Sequence, residues 1–146
     1  MSAVDCRIEI AAPPEAVWNV VMDPTRLGEW VTIHRRLESH DATHMEQVLC
    51  LRGVTFHVRW ELEESAPTRY ARWRGRGPAR CRAEIEYRLT AVDGGTRFDY
   101  HNDFRAPLGP LGAAAGRALV GGLPEREATA TLRALKDLVE RSARPT

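Results

Sequence analysis

The chain has 146 residues, a length typical of one domain that can bury a core without disulfides or metal ions. Its 21 basic and 20 acidic residues leave a formal net charge of +1, which excludes the strong global field that attracts nucleic acid or anionic lipid. No apolar run approaches the roughly 18 residues of a spanning helix, and we find no signal-peptide pattern.

The cysteines and the basic residues indicate the cellular compartment of the protein and the kind of genome that encodes it. The three cysteines are widely spaced and form no CxxC motif, as suits a reducing compartment. Lys136 is the single lysine, and so strong a preference for arginine is typical of a high-G+C genome. We therefore expect one cytoplasmic, bacterial domain over residues 1–146, without stable membrane insertion or a nucleic-acid partner.

The first predicted elements are a strand and two short helices. Apolar and polar residues alternate over 4–10, which is the period of a half-buried strand. Pro14 suits the first position of a helix, and Asp23-Pro24 ends that helix and begins another that reaches Trp30.

Six further strands are predicted between residues 32 and 105, because the alternation persists there and short turns interrupt it. Asp93-Gly94-Gly95 is a strong hairpin signal before the last of them. Short turns between successive strands predict an antiparallel meander with one apolar and one solvated face. We expect these strands near 32–39, 44–52, 54–64, 69–76, 79–92 and 96–105.

The C-terminal part predicts a long amphipathic helix near 124–142. Its apolar stripe consists of Ala128, Leu132, Leu135 and Val139. Residues 107–123 are small and apolar, with glycines and prolines among them, and two interpretations stay open. They form either a lid that orders when a ligand binds or the first, kinked part of the C-terminal helix.

A single sheet with one apolar face must have that face covered. The long helix can cover part of it, and the two short helices can close one end, which leaves a cavity between sheet and helix. We therefore expect an α+β fold in which a seven-stranded, curved antiparallel sheet wraps around the C-terminal helix. Trp30 is expected at the mouth of the cavity.

Three stretches carry a resemblance to a known family. In this order, "IEIAAPPEAVWNVVMDPTRLGEW", "LEESAPTRYARW" and "TAVDGGTRFDYHNDF" look like the START/Bet v 1-like (SRPBCC) superfamily. Within it, the bacterial polyketide cyclase/dehydrase and lipid-transport proteins are most similar. The resemblance covers nearly the whole chain and implies the helix-grip fold. It implies less about chemistry, because that fold hosts binders, cyclases and chaperone-like proteins alike.

Polar and aromatic residues on the predicted inner face form the candidate site. A buried amide costs about 1–3 kcal/mol unless it is hydrogen-bonded, so Gln47 and Asn102 favour a pocket over plain core. For Trp60 and Trp73, core packing and pocket lining both stay open. The ligand-lining residues that we expect are Trp30, Gln47, Leu49, Phe56, Val58, Trp60, Trp73, Tyr87, Phe98, Tyr100, Asn102, Phe104, Leu111 and Leu119.

The leading hypothesis is that the cavity holds a hydrophobic, polyketide- or lipid-like molecule, with cyclisation or dehydration as the reaction if the protein is an enzyme. The pocket would fold a reactive chain while Tyr100, Asn102 or Gln47 polarises a carbonyl. His34 follows the short helices and is a further catalytic candidate, since it could reach the cavity mouth.

Two alternatives are a non-catalytic carrier or sensor of the same ligands, and a protein-interaction module that uses the outer sheet face. The cyclases that the chain resembles typically carry an inward arginine, whereas Arg59, Arg72 and Arg74 fall on the outer face by parity. We expect those arginines to pair with acidic residues across strands. No histidine spacing suggests a metal site, so we expect neither metal nor cofactor, in a monomer or homodimer.

Overall fold

The computed structural model describes residues 2–51, 53–105 and 123–143, and the predicted α+β architecture is confirmed there. Short 3-10 turns lie at Pro24–Arg26 and Pro78–Arg80. The strands are β1 (Ser2–Ile10), β2 (His34–His40), β3 (His44–Leu51), β4 (Val54–Ala66), β5 (Tyr70–Arg76), β6 (Arg82–Val92) and β7 (Gly95–Arg105). The helices are α1 (Pro14–Val21), α2 (Leu27–Trp30) and α3 (Leu123–Ala143).

The seven strands form one antiparallel sheet in the order β1-β7-β6-β5-β4-β3-β2. Strands β2 to β7 follow one another as a meander, as their short connections predict. Gly94 has a φ of 79° in the β6–β7 turn, a backbone conformation that glycine adopts without steric penalty. The first strand leaves this order, since β1 pairs with β7 at the edge of the sheet.

The short helices form where their local signals predict them. Pro14 opens α1, and Val17, Val20 and Val21 are buried along one side of it. The carboxylate of Asp23 accepts hydrogen bonds from the backbone N–H and the hydroxyl of Thr25, which caps the turn that leads into α2.

Helix α3 packs beside β1 and against both short helices. The predicted stripe is buried: Leu135 is 0% and Val139 1% exposed. Helix α3 also contacts β1 through Lys136, whose ammonium donates to the carbonyl of Glu9 at 3.1 Å. In the described ranges, no helix combines the length and apolar character that crossing a bilayer requires. The predicted lid over 107–123, with Leu111 and Leu119, falls outside the described residues except at Leu123.

Strand boundaries differ most from prediction before β6, which begins at Arg82 and not at residue 79. Pro78 starts a 3-10 turn there, closed by a hydrogen bond from Cys81 N–H to the Pro78 carbonyl at 3.1 Å. Arg80 within this turn has a φ of 62°, which is incompatible with a strand. The alternation reaches back to residue 79, but the proline overrides it.

Candidate functional site

Strand register brings the predicted site residues onto one face of the sheet, hereafter the inner face. Residues directly opposite each other in neighbouring strands share a face. Trp73 lies opposite Ile85, which lies opposite Asn102, and Tyr87 lies opposite Tyr100. The same register continues through β4 and β3, and the predicted strand residues on this face are Gln47, Leu49, Phe56, Val58, Trp60, Trp73, Tyr87, Phe98, Tyr100, Asn102 and Phe104.

Aromatic rings form a connected row across the inner face. The ring centroid of Tyr87 lies 5.4 Å from that of Phe98 and 6.2 Å from those of Trp30 and Tyr100. Burial raises the pKa of Tyr87, and it raises the pKa of Tyr100 to about 12. Both phenols therefore stay neutral at physiological pH and can act as hydrogen-bond donors.

Trp30 lies in the core, and the prediction that it stands at a cavity mouth is wrong. Its side chain is 2% exposed and meets the ring of Tyr87 edge to face. The turn through α2 directs the indole inward among apolar neighbours, so its hydrophobic area is removed from water. The indole Nε1 is buried without a hydrogen-bond partner among the described residues.

Asn102 is a half-buried amide on the same face. Its Nδ2 donates to the hydroxyl oxygen of Tyr100 at 3.1 Å. Its Oδ1 is buried and, within the described part of the chain, accepts no hydrogen bond. The aromatic row thus runs between an unpaired donor on Trp30 and an unpaired acceptor on Asn102.

Three candidate residues at the other end of the sheet are linked by hydrogen bonds. Trp60 Nε1 donates to Gln47 Oε1 at 2.9 Å, and Gln47 Nε2 lies 2.8 Å from His34 Nδ1. Gln47 is 4% exposed, so both bonds offset the cost of burying its amide. Burial lowers the pKa of His34 below its ordinary value of about 6.5, which keeps the imidazole neutral.

Sequence reasoning missed a polar cluster that ties the loop after α2 to α3. The Thr32 hydroxyl donates to Glu127 Oε2 at 2.6 Å, and the Thr32 N–H donates to Thr131 Oγ1 at 3.2 Å. No spacing rule pairs a loop threonine with a helix almost a hundred residues later. The small polar Thr131 within the apolar stripe of α3 was the one available signal.

The outer face carries the charged residues, as predicted. Arg74 pairs with Glu63, and Arg59 pairs with Glu46 at 2.9 Å across neighbouring strands. His101 is also there, with its Nδ1 2.6 Å from Asp5 Oδ1. A depression of about 580 Å³ lies on this side among the outer-face residues Asp5, Arg7, Glu86, Arg88, Asp99 and His101, and it is also bordered by Cys6 and Tyr100, which the strand register assigns to the inner face.

Four of the charged or titratable side chains of this depression pair with one another, Arg7 with Asp99 and His101 with Asp5, each at 2.6 Å. Within residues 2–51, 53–105 and 123–143, no group of three or more histidine, cysteine or acidic side chains is placed to hold a metal ion. The outer face therefore has the composition of a solvated, ion-paired surface, and the candidate site stays on the inner face.

The family described as polyketide cyclase/dehydrase and lipid transport matches residues 1–140. The chain belongs to this family. The resemblance to polyketide cyclase/dehydrase and lipid-transport proteins is thereby confirmed.

Individual relatives are more distant. A Mycobacterium tuberculosis protein named as a toxin is 26% identical over 133 residues, covering 86% of this chain and 92% of its own. The solved structure of Zhui aromatase/cyclase from Streptomyces sp. R1128 has a TM-score of 0.78 at 20% identity, covering 98% of this chain and 96% of that one. A structure from Thermus thermophilus has a TM-score of 0.77 at 19% identity, covering 98% and 100%. At these identities, the structures support the fold alone.

Proposed function

We propose that this protein binds a hydrophobic, oxygen-bearing small molecule of the polyketide or lipid class between the inner face and α3. The observation that carries the proposal is the pair of buried, unpaired polar atoms beside the aromatic row, Trp30 Nε1 and Asn102 Oδ1. Leaving such atoms unpaired costs about 1–3 kcal/mol each. A ligand with one acceptor and one hydroxyl would satisfy both, and its hydrocarbon part would contact the aromatic row.

The same wall bears on whether the protein is an enzyme. On the described strands, the residues that share the inner face are apolar or neutral polar, and the arginines at 59, 72 and 74 lie on the outer face. Neutral donors such as Tyr100 and Asn102 can hold and polarise a carbonyl, and a shaped wall can fold a chain for ring closure. We therefore propose binding as the primary function, with cyclisation by positioning as its catalytic extension.

A carrier or sensor would use the same wall without turnover. Incubation of the purified protein with a ligand recovered from it distinguishes the two functions, because an enzyme changes the mass or absorbance of that molecule and a carrier does not. We place this activity in the cytoplasm, since Cys6, Cys50 and Cys81 are free thiols.

Native mass spectrometry of the protein purified from its natural host tests the proposal. We expect a retained molecule of a few hundred daltons that organic extraction releases. Asn102→Leu should reduce its occupancy, because the substitution removes the unpaired acceptor while keeping a similar volume. Asn19→Leu is the matched control, since Asn19 is exposed on α1. Equal occupancy in both variants, or no retained molecule, would contradict the proposal.

A further inference from the structure

The hydrogen bonds of Trp60, Gln47 and His34 determine which ring nitrogen of His34 carries a proton. An indole N–H can only donate, so the Gln47 atom that faces Trp60 Nε1 at 2.9 Å must be the amide oxygen. The amide NH₂ then faces His34 Nδ1 at 2.8 Å, and an NH₂ group can only donate. Nδ1 is therefore a bare acceptor, and the proton of the neutral imidazole is on Nε2.

The surroundings of His34 favour this neutral form. A proton on Nδ1 would place two donors against each other across 2.8 Å, and the amide cannot turn without breaking its bond to Trp60. The ring lies close to the backbone of α2, where a Cβ on Gly28 would be 3.5 Å from His34 Cδ2. Along its own strand, the charge of Arg36 is already paired with Glu38 at 2.7 Å.

The opposite ring nitrogen is not engaged in the same way. Nε2 of His34 has no hydrogen-bond partner among the described residues, and it is not one of their buried unpaired atoms. The His34 side chain is half-buried, at the edge where β2 follows the short helices. The imidazole therefore has one N–H, on Nε2, without a partner among the described residues. The hydrogen bond from Gln47 to Nδ1 fixes the direction of this N–H.

We propose that His34 is a fixed neutral donor that binds an acceptor oxygen of the ligand, of the carbonyl class, through Nε2–H, with Gln47 as its positioning residue. This inference rests on the proposed function, because it concerns a ligand contact on the same inner face, where His34 lies opposite Leu49. It assigns His34 a binding role and not that of a general base, since Nδ1 is already bonded and Nε2 already carries its proton.

Nitrogen-15 NMR of the uniformly labelled protein tests the proton position, with the His34 signals assigned through their loss in His34→Asn. We expect a protonated Nε2 and a bare Nδ1 at pH 7. Gln47→Glu should raise the apparent pKa of His34 by about one pH unit or more and increase the doubly protonated fraction at pH 7, because a carboxylate accepts from both neighbours.

Two further variants provide a control and an alternative for this test. Glu46→Gln makes the reverse change of one charge at the neighbouring position on the outer face, where Glu46 pairs with Arg59, and should leave the His34 signals unchanged. If Gln47→Glu does not fold, Trp60→Phe releases the amide and should give His34 a mixture of both tautomers. A protonated Nδ1 in the wild type, or an unchanged tautomer in Trp60→Phe, would overturn the inference.

Two naphthalenes test the ligand contact, since 2-acetylnaphthalene carries a carbonyl and 2-ethylnaphthalene does not. We expect His34→Phe to weaken binding of 2-acetylnaphthalene about 2- to 12-fold, the loss of one hydrogen bond, and to leave 2-ethylnaphthalene unchanged. An equal change for both probes would overturn this inference and leave the proposed function standing. Failure of both probes to bind the wild type would count against the proposed function, and the ligand contact would fall with it.

Discussion

Substitution of Gly75 by alanine should destabilise the protein through a steric clash with the Trp60 ring. Gly75 lies opposite Trp60 in the β4–β5 pair, and a Cβ there would be 2.6, 2.7 and 2.9 Å from Cζ3, Cε3 and Cη2 of that ring. Favourable carbon contacts lie at about 3.5–4.0 Å. The indole is 6% exposed and hydrogen-bonded to Gln47, so it has little room to retreat.

Overpacking of this kind costs about 1–3 kcal/mol, and a domain of this size loses about 2–4 °C in Tm per kcal/mol. We therefore expect Gly75→Ala to lower the Tm by about 2–12 °C, and to lower the urea midpoint measured by far-UV circular dichroism. The variant should also disturb the Trp60–Gln47 bond, since the indole that must shift carries the Nε1–H that donates to Gln47.

Gly28→Ala is the matched control, because Gly28 lies in α2 and its added Cβ would meet only the His34 ring at 3.5 Å. A helical glycine-to-alanine change there should be neutral or stabilise by up to about 1 kcal/mol. In the double variant with Trp60→Leu, most of the Gly75→Ala penalty should disappear. The reasoning is refuted if Gly75→Ala is as stable as the wild type, or if its penalty persists without the indole.

Three further predictions concern other contacts. The bond to Asp5 raises the pKa of His101 above its unfolded value of about 6.5, so the pair stabilises the fold fully below that pH and less as pH rises through the raised pKa. Asp5→Asn should therefore lower the free energy of unfolding, by less than about 1 kcal/mol, more at pH 5.5 than at pH 9; an equal effect at both would contradict this. Thr96→Val should cost about 1–3 kcal/mol in urea unfolding, because the buried Thr96 hydroxyl donates to the Ala12 carbonyl at 2.7 Å; wild-type stability would show that the bond contributes nothing. Burial raises the pKa of the Cys81 thiol, so a thiol reagent at pH 7 should modify it slowly until urea unfolds the chain, and rapid native labelling at Cys81 would disprove this.

The sheet and its two faces were predictable because each depends on short-range patterns. Alternation assigns Trp73 and Tyr100 to the same face without knowledge of their neighbours, and short turns determine which strands pair. The pattern failed where a residue with its own backbone preference interrupts it. Pro78 imposes a 3-10 turn on a stretch whose alternation looks continuous with β6.

The face that the candidate site residues share was predictable, but the contacts among their side chains were not. Parity places Gln47 and Trp60 on one face, yet their hydrogen bond joins diagonal neighbours whose approach depends on side-chain rotamers. For Trp30, the direction of the side chain itself was not predictable. A tryptophan after a helical turn can point outward or inward, and only packing against Tyr87 decides that it is buried.

The pairing of β1 with β7 has a consequence for the order in which the chain folds. Strand β1 pairs with β7 at positions such as Ser2 with Phe104 and Ile10 with Thr96. It therefore cannot join the sheet until the seventh strand has been synthesised. Helix α3, which packs beside β1, comes later still. Such long-range closure is slow compared with the hairpins of β2 to β7, which form between adjacent segments. During translation, part of the apolar face of the nascent meander therefore stays exposed until α3 has been synthesised and packs beside β1.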